Sequence, residues 1–183
     1  MRLRGKVALI AGGAGSMGSA VARLFAQEGA AVCVADRDEE GARETARTIV
    51  DAGGQSMSVA LDVCDAQVWD EAVNATEKTY GRLDLMVNLS GSNVRVGFEE
   101  QTEAMWRSII DVNLTSCFIG IKSVVPAMRR AGRGAILLVG SLASIRQGAG
   151  SPAYGVSKAG LVALTRSAAA AHARDNIRCV LVS

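Results

Sequence analysis

Residues 6–18 read KVALIAGGAGSMG, which puts a short apolar run directly before a cluster of glycines. Residues 6–11 are typical of a buried strand, and residues 17–28 have the amphipathic period of a helix. Glycine lets the backbone turn tightly and lets a ligand approach the amides at the start of that helix. Glycine-rich turns are common, but one that lies between a strand and a helix predicts a phosphate-binding turn.

Strand-length apolar runs alternate with helix-period runs along the rest of the chain. Continuous apolar strands separated by amphipathic helices indicate parallel strands covered on both faces. Right-handed crossovers then give an α/β, Rossmann-type doubly wound parallel sheet of about six strands, in one domain over residues 1–183. The predicted strands are residues 6–11, 31–35, 56–61, 83–88, 134–139 and 177–182. The predicted helices are residues 17–28, 39–52, 66–80, 103–130 and 154–174.

Composition narrows the class of protein. The chain has 183 residues, of which 49% are hydrophobic and 21% charged, with a net charge of +2, as in ordinary soluble globular domains. No basic cluster is interleaved with aromatic residues, so we expect no nucleic-acid partner. The apolar runs are strand-length and no signal peptide is evident, so we expect no membrane span and a cytoplasmic protein. We expect no metal site, because the candidate ligands are scattered: Cys33, Cys64, Cys117, Cys179 and His172.

An acidic residue follows the second predicted strand. Asp36 lies 18 residues beyond Gly18, near the spacing at which a carboxylate accepts hydrogen bonds from the adenosine ribose of a dinucleotide. The alternative is a helix cap or a turn residue. A carboxylate there would repel a 2′-phosphate, so the pattern favours NAD over NADP, although the adjacent Arg37 could partly offset that repulsion.

Two further polar segments follow the third and fourth predicted strands, at the carboxyl edge where such sheets bind ligands. Asp62 could accept a hydrogen bond from an adenine amino group or cap the next helix. Asn88 could tie neighbouring strand ends together through their backbone groups. The predicted cofactor-binding residues of the turn and these segments are Gly12, Gly15, Ser16, Met17, Gly18, Asp36, Arg37, Asp62, Val63, Asn88, Ser90 and Gly91.

A second set of polar residues surrounds the fifth predicted strand. Ser141 follows that strand, Tyr154 comes thirteen residues later and Lys158 four residues after it, one helical turn away on the same face. Asn113 lies in the long predicted helix before the strand. With these residues and the glycine-rich turn in this order, the chain resembles the short-chain dehydrogenase/reductase superfamily over residues 6–183.

The resemblance implies a role for each residue of this set. Tyr154 would be the general acid/base, and the Lys158 cation would favour its phenolate and bind the nicotinamide ribose, so both also contact the cofactor. Ser141 would donate a hydrogen bond to the substrate oxygen, with Ser144 a less well spaced rival. Asn113 would hold a water that links Lys158 to solvent.

The resemblance also implies an activity, an NAD(P)-dependent oxidoreductase that interconverts a small secondary alcohol and a ketone. A 3-oxoacyl-thioester reductase is one member of that class. The alternative is a catalytically silent NAD-binding fragment, because the chain stops after the sixth predicted strand and the family's seventh strand would be missing, as if truncated. In the family, the long helices flanking the fifth strand pair across a two-fold axis, so we expect a homodimer.

The glycine-rich turn departs from the family pattern at two positions. Ala11 replaces a threonine, and Ser16 replaces the middle glycine. Loss of the threonine hydroxyl removes a hydrogen bond that normally helps hold the turn to the segment after the fourth strand. We therefore expect cofactor binding to survive but to be weakened. Ser157, which lies between Tyr154 and Lys158, is interpreted as a helix-packing or backbone-contacting residue.

Overall fold

A parallel sheet of six strands forms the centre of the computed structural model, which describes residues 1–146 and 150–183. The strand order is β3-β2-β1-β4-β5-β6, so the chain reverses direction across the sheet between β1 and β4. This order confirms the predicted Rossmann-type fold, and the reversal creates the crevice where such sheets bind ligands. The strands are β1 (Val7–Ala11), β2 (Ala31–Asp36), β3 (Gln55–Ala60), β4 (Leu85–Asn88), β5 (Gly134–Val139) and β6 (Ile177–Val182).

Six α-helices of the described chain connect these strands and cover both faces of the sheet. Their ends lie within a few residues of the predicted ones, as expected where helix ends fray. The predicted single helix over residues 103–130 is interrupted by a π-helical turn, Asp111–Thr115, between α4 and α5. The helices are α1 (Ser16–Gln27), α2 (Glu39–Asp51), α3 (Ala66–Tyr80), α4 (Glu103–Ile110), α5 (Ser116–Arg130) and α6 (Pro152–His172).

The sheet separates two apolar clusters because successive strand residues point to opposite faces. Leu9 of β1 belongs to the larger cluster and Ile10 to the smaller one, and both are fully buried. Trp69 of α3 is also fully buried, and it packs where α5 carries Gly120. A Cβ atom at Gly120 would lie 2.8 Å from the Trp69 ring, so only glycine allows this close packing.

One helical region has the length and composition of a membrane-crossing segment. Glu103–Arg130 spans 28 residues, and 44% of its most apolar window is buried within the structure. Core helices share this length and composition, so the expected absence of a membrane span stays a prediction. The buried side chains of this region, including Cys117, Val124 and Met128, belong to the larger apolar cluster, so we interpret it as core helices.

A buried carboxylate joins the amino-terminal ends of two central strands. Asp84 precedes β4 and is 3% exposed. Its Oδ2 accepts hydrogen bonds from the Val7 backbone N–H (3.0 Å) and from Arg82 Nε (2.8 Å), and Lys6 Nζ lies 3.6 Å from Oδ1. Burial raises the pKa of Asp84, but the hydrogen bonds from Arg82 and Val7 and the Lys6 charge outweigh it, so the net pKa is lowered.

We predict that Asp84→Asn lowers the free energy of unfolding at pH 7 by up to about 3 kcal/mol, because it leaves the partly exposed Lys6 and Arg82 cations without their buried counter-ion. The depressed pKa means that the carboxylate stabilises the fold above its unfolded-state pKa, about 3.9, and that this contribution is lost as pH falls through the folded value. Denaturant unfolding from pH 7 to pH 3 measures both effects. Asp70→Asn, at an exposed position of α3, is the control. An Asp84→Asn deficit that did not shrink at low pH would contradict the assignment.

Candidate active site

The turn after β1 depends on two glycines. Gly12 has φ +77°, and a Cβ atom there would lie 2.8 Å from the Ser90 backbone nitrogen. A Cβ atom at Gly18 would lie 1.9 Å from the Gly12 carbonyl oxygen, closer than any contact that real Cβ atoms make. Gly15 differs, since its φ is −65° and its Cβ would be in ordinary contact with Gly12 at 3.5 Å. Steric clashes therefore explain why glycine is required at Gly12 and Gly18, but they do not explain the glycine at Gly15.

Backbone hydrogen bonds hold this turn to the neighbouring strand ends. The Leu89 N–H donates to the Ala11 carbonyl (2.9 Å), and the Gly13 N–H donates to the Ala35 carbonyl (3.1 Å). The Ala14 N–H donates to Asp36 Oδ2 at 2.9 Å. The turn is thus joined to β2 and to the segment after β4 without the threonine hydroxyl that Ala11 lacks.

Neither predicted adenosine-binding carboxylate is a helix cap. Asp38 caps α2 by accepting from the Gly41 N–H, and Asp65 caps α3 by accepting from two N–H groups. Asp36 Oδ1 instead accepts from the Asp38 N–H (3.0 Å), two residues on, in addition to the bond from Ala14. Asp62 Oδ1 likewise accepts from the Cys64 N–H at 2.9 Å. These short-range bonds fix the directions in which the two carboxylates point.

A cleft of about 310 Å³ lies at the carboxyl edge between these segments. It brings together eight of the predicted cofactor-binding residues, and the other six, Ser16, Met17, Gly18, Asn88, Tyr154 and Lys158, do not line it. The predicted lining residues are Gly12, Gly15, Asp36, Arg37, Asp62, Val63, Ser90 and Gly91. The sequence analysis missed Leu61, Leu89, Ser92, Ser108 and Val112.

Three of the five unpredicted lining residues could have been predicted from the sequence, and two could not. Leu61, Leu89 and Ser92 directly adjoin predicted residues in the chain, so the strand-end pattern was a usable signal. Ser108 and Val112 come from the region before Asn113 and reach the cleft only because that region packs across the end of the sheet.

Asn88 supports the cleft from beneath. Its side chain is 2% exposed, its Nδ2 donates to Cys117 Sγ (3.4 Å) and its Oδ1 accepts from the Ser90 N–H (3.0 Å). The expectation that it bonds backbone groups of neighbouring strand ends was wrong. It instead bonds the chain just after its own strand and Cys117 of α5.

Tyr154 and Lys158 lie in the first two turns of α6. Lys158 is 6% exposed, and its Nζ donates to the Val139 carbonyl at the end of β5 (2.8 Å). The same Nζ lies 5.7 Å from the centre of the Tyr154 ring. Burial lowers the pKa of the Lys158 ammonium. A cation is thus held beside the phenol by the backbone of β5.

The two serines after β5 have different hydrogen bonds. Ser141 Oγ accepts from the Ala143 N–H (3.1 Å), which occupies a lone pair and leaves the hydroxyl proton available. Ser144 Oγ donates its proton to the Lys158 carbonyl (3.1 Å). This difference favours Ser141 over Ser144 as a donor to a bound molecule.

Asn113 is fully buried in the π-helical turn. Its Oδ1 accepts from the Ser92 N–H (2.7 Å), and its Nδ2 donates to the Ser92 carbonyl (2.8 Å) and to Ser157 Oγ (3.1 Å). Ser157 Oγ in turn donates to the Tyr154 carbonyl at 2.7 Å. Ser157 therefore makes the expected backbone contact, and it also connects Asn113 to the turn of α6 that carries Tyr154.

The side chains considered as candidate metal ligands do not form a cluster in the described part of the chain. Within residues 1–146 and 150–183, no three His, Cys, Asp or Glu side chains are grouped so that they could hold a metal ion. Cys33, Cys117 and Cys179 are buried, and burial raises the pKa of each thiol to about 11. Cys64 is exposed beside the cleft.

Comparison with known proteins identifies the family. The sequence profile described as short chain dehydrogenase matches residues 6–183, so the chain belongs to this family of oxidoreductases, which bind NAD(P). The chain is 39% identical over 168 residues to 2,5-dichloro-2,5-cyclohexadiene-1,4-diol dehydrogenase of Sphingobium indicum, covering 92% of this chain and 67% of that protein. It is 37% identical over 183 residues to trans-4-hydroxycyclohexanecarboxylate dehydrogenase of Sinomonas cyclohexanicum, covering 97% and 70%. The chain thus spans about two thirds of the length of these relatives.

Solved structures agree with this family. A short chain dehydrogenase from Mycobacterium smegmatis superposes with a TM-score of 0.96 at 31% identity, over 100% of this chain and 77% of that one. A metagenomic short-chain oxidoreductase in complex with NADP superposes with a TM-score of 0.92 at 33% identity, over 99% and 82%. The predicted superfamily and fold class are confirmed.

We predict that Gly18→Ala weakens NADH binding by at least about tenfold, or ~1.4 kcal/mol. The added Cβ would overlap the Gly12 carbonyl, so α1 must move away from the turn. Fluorescence titration measures the binding, and thermal unfolding measures the accompanying loss of stability. Gly15→Ala is the matched control for stability, since its Cβ has room. NADH binding of Gly18→Ala at the wild-type level would refute this account of the turn.

Proposed function

We propose that this chain is one dinucleotide-binding and catalytic domain that interconverts a secondary alcohol and a ketone, with Tyr154 as general acid/base. The observation that carries the proposal is the buried Lys158 ammonium, which β5 holds 5.7 Å from the Tyr154 ring. A cation beside a phenol favours the phenolate that a proton-transfer role requires. Membership of an oxidoreductase family supports the same reaction class.

The cleft fits the adenosine half of NAD. Gly12 and Gly15 line the cleft directly before α1, so a bound phosphate would meet the amides at the start of that helix. Asp36 would accept hydrogen bonds from the ribose hydroxyls, and Asp62 with Val63 would contact the adenine. The Asp36 carboxylate lines the cleft and disfavours a 2′-phosphate, which supports NAD over NADP even though Arg37 lines it too.

Tyr154 would exchange a proton with the substrate oxygen, and the hydroxyl proton of Ser141 would stabilise charge on that same oxygen. Lys158 would favour the phenolate form and bind the nicotinamide ribose. Asn113 would hold a water that links Lys158 to solvent, as the family resemblance implies. The nicotinamide ring, when bound, supplies the hydride acceptor or donor.

The substrate we propose is a secondary alcohol carried on a six-membered ring. The names of two relatives, at 39% and 37% identity, specify a cyclohexadienediol and a hydroxycyclohexanecarboxylate. The second candidate is a 3-oxoacyl thioester, because a 3-oxoacyl-[acyl-carrier-protein] reductase of Thermotoga maritima is 35% identical over 178 residues. Turnover of cyclohexanol-type alcohols against 3-oxoacyl thioesters separates the two, and turnover of neither supports a silent NAD-binding protein.

The proposed enzyme is a cytoplasmic homodimer that pairs through α5 and α6. An apolar groove of about 340 Å³ lies between these helices, and Phe118, at 50% exposure, is part of its lining. Pro126 and Leu164 add further apolar surface. Burial of such a surface against its symmetry mate would remove it from water. The proposal includes no nucleic-acid or membrane partner.

Tyr154→Phe tests the mechanism, because it removes only the phenolic oxygen. We expect turnover to fall by roughly 10²–10⁴-fold while NADH affinity changes little. Steady-state rates with ring alcohols and ketones, together with NADH titration, measure the two effects. The matched control is Tyr80→Phe, at the chain's other tyrosine, where burial raises the pKa to about 12. Equal turnover of Tyr154→Phe and wild type would exclude this mechanism.

Asp36→Asn tests the cofactor preference, because it removes the charge and keeps one acceptor oxygen. We expect wild type to bind NADH more tightly than NADPH, and the variant to lose about tenfold or more of that ratio as charge repulsion disappears. Paired titrations measure the ratio. Asp38→Asn removes a carboxylate two residues away while an asparagine still caps α2, so it should leave the ratio unchanged. Tighter NADPH binding by wild type would overturn the proposal.

A further inference from the structure

The helix that carries Tyr154 is not capped by the side chain that directly precedes it. The residue before α6, Ser151, makes no side-chain hydrogen bond to the helix amides. Its hydroxyl is directed away from the helix, to Asn93 Oδ1 (2.6 Å) and to the Val94 carbonyl (3.0 Å). The first amides of a helix have no intrahelical acceptor, so α6 needs one from elsewhere.

Gln101 supplies that acceptor from a distant part of the chain. Its Oε1 accepts a hydrogen bond from the Ala153 N–H at 2.9 Å, across 52 residues of sequence. Ala153 is fully buried and directly precedes Tyr154. The bond therefore acts on the backbone immediately next to the proposed acid/base.

The 92–101 loop, which follows β4, is joined to α6 at three places. Ser92 is bonded by Asn113, which bonds Ser157 of α6. Asn93 accepts from Ser151, and Gln101 accepts from Ala153. This loop also reaches the cleft, because Ser92 is part of the cleft lining. The first turn of α6 is thus held against a loop that borders the proposed cofactor site.

One end of the Gln101 amide is buried without a hydrogen-bond partner among the described residues, which is unfavourable and indicates that the acceptor oxygen at the other end holds the side chain in place. Its Nε2 is closed off from solvent and finds no hydrogen-bond partner among residues 1–146 and 150–183. Buried amide hydrogens without acceptors are unfavourable. Exchanging the two terminal atoms would put an NH₂ group against the Ala153 N–H, so the orientation is set by the helix. The hydrogen bond that Gln101 Oε1 accepts from the Ala153 N–H therefore holds the side chain in place.

We infer that Gln101 is a positioning residue, which caps α6 from the 92–101 loop and thereby fixes the position of the Tyr154 side chain. The inference rests on the proposed function for Tyr154. Displacement of a reacting group by about 1 Å can cost as much as 10²-fold in rate, so a looser first turn should affect turnover more than binding.

Two substitutions separate the acceptor from the rest of the side chain. Gln101→Ala removes the cap, whereas Gln101→Glu keeps an acceptor oxygen and adds a negative charge that a helix amino terminus favours. The control is Gln67→Ala, which removes an exposed glutamine whose Nε2 donates to Glu71. Steady-state kinetics with a ring alcohol, NADH titration and amide hydrogen exchange of the Ala153–Tyr154 segment are measured on all four proteins.

We expect Gln101→Ala to lower kcat by about tenfold or more, with KM and NADH affinity within about twofold, and to accelerate exchange at Ala153. Gln101→Glu should keep kcat and exchange close to wild type. Unchanged kcat in Gln101→Ala, or equal damage in both variants, overturns the inference. If Gln101→Ala does not fold, Gln101→Glu alone decides the inference. A lower kcat with faster exchange at Ala153 in that variant would overturn the inference, and a wild-type kcat with wild-type exchange would support it.

The exchange measurement separates this inference from the proposed function. Wild-type protein that binds NADH but turns over no substrate would refute the proposed function alone. The capping link would then be judged by exchange at Ala153, which should accelerate in Gln101→Ala and not in Gln101→Glu. Identical exchange in these two variants would refute the link whether or not the chain is an enzyme.

Discussion

The contact between Gly18 and the carbonyl oxygen of Gly12 is the constraint on which the cleft depends. No side-chain carbon fits between them, so α1 starts directly against the end of β1. That start leaves the turn close enough to β2 and to the segment after β4 for backbone hydrogen bonds to join all three. Because the turn itself takes part in these bonds only through its backbone groups, it tolerates the unusual residues Ala11 and Ser16. Gly12 and Ser90, which meet at this turn, both line the cleft.

Buried polar groups hold the other side of the site. Asn113 is fully enclosed and its amide makes three hydrogen bonds, two to Ser92 and one to Ser157. Buried polar groups are costly unless they are satisfied, so such a network permits few alternative arrangements. The π-helical turn carries Asn113 and therefore lies at the centre of this network. Such irregular helical turns are frequent at functional sites. The buried Lys158 ammonium is likewise satisfied, because it donates a hydrogen bond to the carbonyl at the end of β5.

The fold was largely predictable because its signals are local. Apolar strands and amphipathic helices differ in period, and a parallel α/β sheet follows from their alternation. Eight of the cleft residues followed in the same way, because they adjoin the predicted strand ends. The helix interruption at Asp111–Thr115 was not predictable, because its residues are compatible with an ordinary helix and tertiary packing imposes the wider turn. The true caps, Asp38 and Asp65, lie two and three residues beyond the carboxylates first considered.

The sequence alone determined the class of sheet, the glycine-dependent turn and the pairing of Tyr154 with Lys158 on one helical face, since each rests on spacing along the chain. Only the tertiary structure decided which polar groups meet. Gln101 and Ala153 are 52 residues apart, and Ser144 and Lys158 are 14 apart, so no local pattern reveals those bonds. Hydrogen bonds act over about 3 Å, and only folding brings such distant residues within that range.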